Sequence, residues 1–397
     1  MSKKLRLAVL GILGRTPFAG VAWQVMHYLE GFRRLGHHVY YVEDTGDWPY
    51  DPEQRTVTAD CRYTVTYIAR LMARCGLADR WAYRAGAQGG RTFGLSDTRL
   101  SCLFSEVDAL INLTGSTQLR DDHLRVPVRI YLETDPVRPQ IEVAQGRQFT
   151  IDLLSAHTHH FTYGENFGAP DCCVPLGRFH YFPTRQPIVL DWWTSTAGPL
   201  PDACPHSRAA SRFTSIANWQ QSGRDLEWNG ETYSWSKHLE FLKFIDLPRR
   251  TGQSLELALA CEDPEAIQLL ASHGWRVVDA VILSKDILPY RDYILGSLGE
   301  FTVAKDQNIR LRSGWFSDRS ACYLAAAKPV VTQETGFGNV LPTGKGLFSF
   351  TTMEEIVAAL EAISADCQTH SRAARAIAEE YFKAETVLSR VLGEAGL

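Results

Sequence analysis

The sequence predicts an α/β protein made of two doubly wound domains, and three observations lead to that class. A buried strand, a glycine-bearing loop and an amphipathic helix follow one another at the start of the chain. The same alternation restarts near residue 211 after a proline-rich interruption. At 397 residues the chain also exceeds what one hydrophobic core usually supports.

In order, "LRLAVLGI" reads as a buried strand, "GILGRTPFAG" as a loop, "VAWQVMHYLEGFRRLG" as a helix closed by Gly36, and "HHVYYVED" as the next strand. Strands follow at "VDALINLTG", "VRIYLETD" and "HHFTYGEN", with a helix over "PQIEVAQGRQFTIDLLSAH". This places a first domain at residues 1–185. The stretch "TRQPIVLDWWTSTAGPLPDACPHSRAAS" carries no sustained period, so a linker is expected over 186–210. A second domain over 211–380 then runs strand "RFTSIANW", helix "SKHLEFLKFIDLP", strand "SLELALA", helix "DPEAIQLLASHG" and strand "WRVVDA". Later come "PYRDYILGSLG", "EFTVAKD", "KPVVTQE" and "TMEEIVAALEAI". An amphipathic segment ends the chain, and residues 381–397 are expected to cross back to the first domain. In such pairs the ligand is expected in the crevice at the carboxyl ends of the strands.

Composition excludes several classes. A formal charge of −4 and 22% charged residues give no extended basic surface for nucleic acid and no polybasic membrane patch. No apolar run is long enough to span a bilayer, and Met1 leads directly into a first strand, so a cytoplasmic protein is expected. The nine cysteines lack C-x-x-C spacing, which predicts free, mostly buried thiols and no structural metal.

The chemistry-bearing residues cluster in the expected βα loops. In "SGWFSDRSACYLAAAKPVVTQETGF", Ser317, Asp318, Arg319 and Ser320 fall at a helix start, where unpaired N–H groups suit a phosphate. Ser317 or Asp318 would equally serve as an N-cap, and Asp318 would repel an anion or bind a sugar hydroxyl. Glu334, at the end of the next strand, can accept two hydrogen bonds from a ribose diol, with Thr335 and Gly336 in the turn beside it; an ordinary turn glutamate is the alternative. Lys305, with Arg310 and Arg312, would place cations where a diphosphate leaving group gains charge, unless the loop is simply solvated.

In the first domain Gly14, in a loop without G-x-G-x-x-G spacing, would let the backbone approach the donor or the acceptor. Glu133 and Asp135 stand two apart at a strand end; Asp135 suits a general base on an acceptor hydroxyl, or a cap for the helix entered at Pro136. His157, His159 and His160 lack a carboxylate at ligand spacing, which favours acceptor contact or a strand edge over metal. Tryptophans such as Trp219, Trp228 and Trp235 would suit stacking on sugars or simple core packing.

The strand, polar helix start, "YLAAAKPVV", then acid and glycines resemble the donor half of GT-B glycosyltransferases, most closely the large retaining family that reads "E…EAMAxGxPVV" and the spore-maturation-type enzymes. The resemblance implies two Rossmann-like domains facing a central cleft, a nucleotide-diphosphate sugar as donor, no cofactor, and a small-molecule or glycan acceptor. It implies that Lys237 in "YSWSKHLEF" neutralises the diphosphate. The family's E-x7-E pair is absent, its positions being Gly314 and Cys322, so its work would pass to Asp318, Ser320 and Glu334. A binding protein of the same fold without catalysis, or a nucleotide-sugar 2-epimerase, are the alternative readings.

Overall fold

The computed structural model describes residues 4–86, 89–194, 212–221 and 223–397. Most of the expected linker, residues 195–211, lies outside the described residues. The chain divides into two compact units: Met1–Tyr163, Leu176–Val189 and Ala384–Leu397 form the first, and Gly164–Pro175 with Leu190–Lys383 form the second. The segment 164–175, which the sequence placed in the first domain, therefore packs with the second.

The strands of unit 1 are β1 (Arg6–Leu10), β2 (His38–Glu43), β3 (Tyr50–Asp51), β4 (Thr56–Val57), β5 (Trp81–Ala85), β6 (Arg91–Gly94), β7 (Ala109–Leu113), β8 (Val128–Glu133), β9 (His159–Thr162) and β10 (Tyr181–Pro183). Eight of them form one sheet in the order β10-β9-β8-β7-β1-β2-β5-β6, with β3 and β4 a separate hairpin. All pairs in the large sheet are parallel except β5 with β6. The central strands β1 and β7 are nearly all buried because helices cover both faces, which is why they read as unbroken apolar runs. From β1 the chain winds one way to β2 and β5 and then restarts at β7 to wind the other way, so the switch point lies between β1 and β7.

Unit 2 contains β11 (Arg212–Asn218), β12 (Leu226–Trp228), β13 (Glu231–Tyr233), β14 (Ser254–Ala260), β15 (Arg276–Asp279), β16 (Gly299–Thr302), β17 (Val330–Gln333) and β18 (Leu347–Phe350). Six of these form a wholly parallel sheet, β15-β14-β11-β16-β17-β18, and β12 and β13 make a hairpin. Its switch point lies between β11 and β16. One face packs an aromatic core, where Phe301 stacks on Phe350 with ring centroids 5.6 Å apart. The C-terminal helix Ala384–Glu394 belongs to unit 1, where Gly31 of the helix Ala19–Arg34 leaves room for Leu388 and Ala384.

Local chemistry explains where the sequence reading was too coarse. The single helix expected over "PQIEVAQGRQFTIDLLSAH" is two, Arg138–Ala144 and Gln148–Ser155, because Gly146 adopts a φ of +72° between them. Likewise "SKHLEFLKFIDLP" divides into His238–Lys243 and Leu247–Arg250. The free-thiol expectation also needs correcting: Cys61, Cys75 and Cys322 are buried thiols, but Cys102 and Cys173 are exposed, and Cys367 is disulfide-bonded.

Gly115, just past β7, has a φ of +63°, and a Cβ there would lie 2.2 Å from the buried ring of Tyr131. Gly115→Ala therefore combines backbone strain with a steric clash and should destabilise the protein by roughly 2–4 kcal/mol in chemical denaturation.

Candidate active site

In unit 2 the switch point between β11 and β16 is flanked by two lysines. Lys237 stands in the connection after β11, immediately before the helix His238–Lys243, and Lys305 follows β16, immediately before the helix Asp306–Arg310. Each ammonium lies over an indole: Lys305 Nζ is 3.2 Å from the ring centroid of Trp235, and Lys237 Nζ is 5.2 Å from that of Trp315. An indole face attracts a cation through its ring quadrupole, so each ring helps to place the ammonium above it. Trp235 is fixed by its Nε1–H donating to Gln221 at 3.0 Å. Trp315 is held from below, where its carbonyl accepts from the Thr335 hydroxyl at 2.7 Å and the amide of Gly314 donates to the Thr335 carbonyl at 2.7 Å.

Thus Lys237, Trp315, Ser317 and Thr335 share one neighbourhood, and Trp235 links it to Lys305. Ser317 is the N-cap of the helix Asp318–Ala325, with no side-chain cap bond, and Asp318 is half-buried in its first turn. Ser320 is fully buried, and its hydroxyl has no hydrogen-bond partner. Glu334 turns back on its own loop, its Oε1 accepting from the amides of Gly336 at 2.5 Å and Gly338 at 3.4 Å. Gly336 has a φ of +97° and packs against Asn166, so it shapes the turn.

Arg319 requires a correction. Its guanidinium does not reach out from the helix start but turns inward, donating to Glu300 at 2.5 Å, to Thr302 Oγ1 at 2.8 Å and to the carbonyl of Ile216. Glu300 is wholly buried on β16, and a carboxylate there needs a buried cation. Each nitrogen of the guanidinium thus donates inside the fold, so Arg319 acts as the buried partner of Glu300 and not as a side chain extended from the helix start. The other basic residues of the run are similarly engaged, Arg310 by Glu231 and Asp306, and Arg312 by Asp171 at 2.7 Å. That last pairing, with donors from Asn166 and Asn339, holds the Asp171 carboxyl down at about 2.

In unit 1 Gly14 and His157, like Glu133 below, make internal hydrogen bonds. The amide of Gly14 donates to Glu43 at 2.7 Å, so it is not open to a ligand. Glu43, which sequence reasoning missed, also accepts from Arg15 N and the Tyr41 hydroxyl, and burial pushes its carboxyl up to about 7. His157 is buried, with Nδ1 on the Leu153 carbonyl at 2.8 Å and Nε2 within 3.1 Å of Asn112 Nδ2. Burial lowers its pKa to about 4, so it is a neutral group with both ring nitrogens engaged inside the unit.

Glu133 and Asp135 lie at the end of β8 as expected, but in different settings. Glu133 is buried, accepts from both Thr162 Oγ1 (2.6 Å) and Gln140 Nε2 (3.0 Å to each oxygen), and is pushed up to about 8 chiefly by burial. It is therefore an internal clamp, with both oxygens engaged inside the unit. Asp135 is half-buried two residues further on. Between it and the helix Arg138–Ala144 stands Val137 at φ +93°, a conformation that costs a β-branched residue about 1–3 kcal/mol. Among the described residues no group of three or more His, Cys, Asp or Glu is placed to hold a metal ion. No described helix is long and apolar enough to cross a membrane.

No protein-family profile matches the chain, and no curated protein sequence matches it. Solved structures do. HepE of Anabaena, in complex with UDP and glucose, aligns over 99% of both chains with a TM-score of 0.59 at 11% identity. An alpha-glucosyltransferase bound to UDP and a DNA with a central A:G mismatch aligns over 100% of both chains, with a TM-score of 0.57 at 10% identity. AviGT4, a glycosyltransferase involved in avilamycin A biosynthesis, covers 98% of this chain and 97% of its own, at a TM-score of 0.53 and 12% identity. The chain thus has the α/β fold of the GT-B glycosyltransferases.

Two outcomes follow from the buried carboxyls. Arg319→Ala leaves Glu300 uncompensated and should cost about 3–5 kcal/mol of stability, read by urea denaturation. Glu133 binds its proton more tightly folded, at about 8, than at its ordinary value of 4.5, so its contribution to stability falls as pH rises through that window. Glu133→Gln, which keeps the shape and can still bond Thr162 and Gln140, should flatten the wild-type decline between pH 5 and 8.

Proposed function

We propose that the protein is a glycosyltransferase that moves a sugar from a nucleotide-diphosphate donor, most simply a UDP-sugar, to a hydroxyl of a small-molecule or glycan acceptor. The observation that carries this reading is the pair Lys237 and Lys305 on either side of the unit 2 switch point, each seated on an indole. Ligands of open parallel sheets bind at such switch points. As the bond from the sugar to the diphosphate breaks, negative charge accumulates on the leaving group, and fixed ammonium groups stabilise that charge more than the ground state. In this reading they do so without a metal or cofactor. The N-terminus of the helix Asp318–Ala325, where Ser317 stands at the N-cap position without a side-chain cap bond, adds amide donors within reach of the same neighbourhood.

Glu334 and the Thr335–Gly336 turn would shape the donor's ribose or sugar contacts, replacing the carboxylates absent at Gly314 and Cys322. Acceptor binding falls to unit 1, whose β8 end offers Asp135. The net charge of −4 favours an uncharged or modest acceptor over a long nucleic-acid track. The fold of HepE and of AviGT4 supports the reading, and a soluble cytoplasmic enzyme is consistent with it.

Lys237→Ala and Lys305→Ala should each lower transfer by about 10²–10³-fold with thermal unfolding unchanged. UDP-glucose and related donors should raise the melting temperature of the wild type and raise it less in either variant. Wild-type turnover in both variants would remove the diphosphate from this place.

A further inference from the structure

The turn after β8 is unusual. Four residues, Thr134 to Val137, separate the buried carboxyl of Glu133 from the helix Arg138–Ala144, and the last of them holds a left-handed backbone that valine avoids. One side chain spans this turn. Gln140, fully buried, accepts from the amide of Val137 at 2.7 Å through Oε1, as the glutamine of a capping box does. Its Nε2 donates to both oxygens of Glu133 at 3.0 Å, and Thr162 on β9 closes the set from the other side. The clamp thus ties the end of the strand to the start of the helix across the residues that carry Asp135.

We propose that Gln140 is a positioning residue: by bridging the Glu133 carboxyl and the Val137 amide it holds the strained turn that sets the Asp135 carboxylate for hydrogen bonding to the acceptor hydroxyl. This rests on the glycosyltransferase reading for the role of Asp135, while the bridge itself is a property of unit 1. Strain retained at a strand's carboxyl end, in an open α/β sheet, is expected where a side chain must be aimed.

Gln140→Leu removes both halves of the bridge and Gln140→Glu keeps the acceptor for Val137. In hydrogen-exchange mass spectrometry, Gln140→Leu should raise exchange in the peptide spanning 131–141 at least tenfold while the peptides of β1 and β7 stay protected, and Gln140→Glu should raise it less. In transfer assays Gln140→Leu should lower kcat/KM for the acceptor about 100-fold with UDP-sugar affinity unchanged. Combined with Asp135→Ala it should add little further loss, because both changes remove one positioned group. Unchanged exchange in 131–141, transfer within threefold of wild type, or fully additive losses would each overturn the proposal. A wild type that turns over no nucleotide sugar would overturn the glycosyltransferase reading, and with it the role assigned to Asp135. The exchange arm would still decide whether Gln140 holds the turn.

Discussion

The buried ion pair between Arg319 and Glu300 is the constraint on which unit 2 turns. A charged carboxylate inside a parallel sheet is expensive, and its partner must arrive from the helix covering that face. Arg319 does so from the first turn of the helix Asp318–Ala325, touching β16 through Glu300 and Thr302 and β11 through the Ile216 carbonyl. The loop just before that helix is held by contacts of its own. Gly314 and Trp315 meet Thr335 of the loop after β17, and the Trp315 ring comes to rest beneath Lys237. A residue with the outward signs of an anion ligand thus acts one layer deeper, in the helix that follows the loop on which a different cation is seated.

Unit 1 uses buried carboxyls in a related way. Glu43 ends β2 and gathers the amides of Gly14 and Arg15 from the loop after β1; Glu133 ends β8 and gathers Gln140 and Thr162. Both are held above their ordinary pKa by burial, so each can keep a proton near neutrality and accept hydrogen bonds without the full cost of a buried charge. In each case a strand end is joined to a neighbouring loop, and the loops concerned are those that an open α/β sheet uses for ligands.

The absent glutamate pair has a steric explanation. Gly314 has a φ of +82°, and a Cβ there would lie 2.3 Å from the amide nitrogen of Asn166, so no larger side chain fits. Cys322 lies within the packed side of the helix, and burial drives its thiol pKa well up. The space that a glutamate would need at the first position is filled by the segment 164–175, itself tied to unit 2 through Asn166, Asp171, Arg312 and Asn339. The glycine at position 314 and the docking of that segment are two aspects of one packing solution.

Much of the fold was legible because the parallel strands are buried on both faces and their helices are amphipathic, so periodicity alone located β1, β2, β7, β8, β11, β14 and β16 and the order of the helices between them. Lys305 stands just after a strand of the sheet, a position that periodicity alone could locate, whereas Lys237 follows the separate β12–β13 hairpin and was singled out only by the family resemblance. What the sequence could not determine is the direction of a side chain. Arg319 faces inward because Glu300, 19 residues earlier, needs a cation; His157 is neutral because the folded chain buries it, with Asn112 and Leu153 at its two nitrogens; Gln140 matters because a turn brings it to Glu133. Each of these depends on a partner distant in sequence or across a turn, and desolvation, which fixes their charge, exists only once the chain has folded around them.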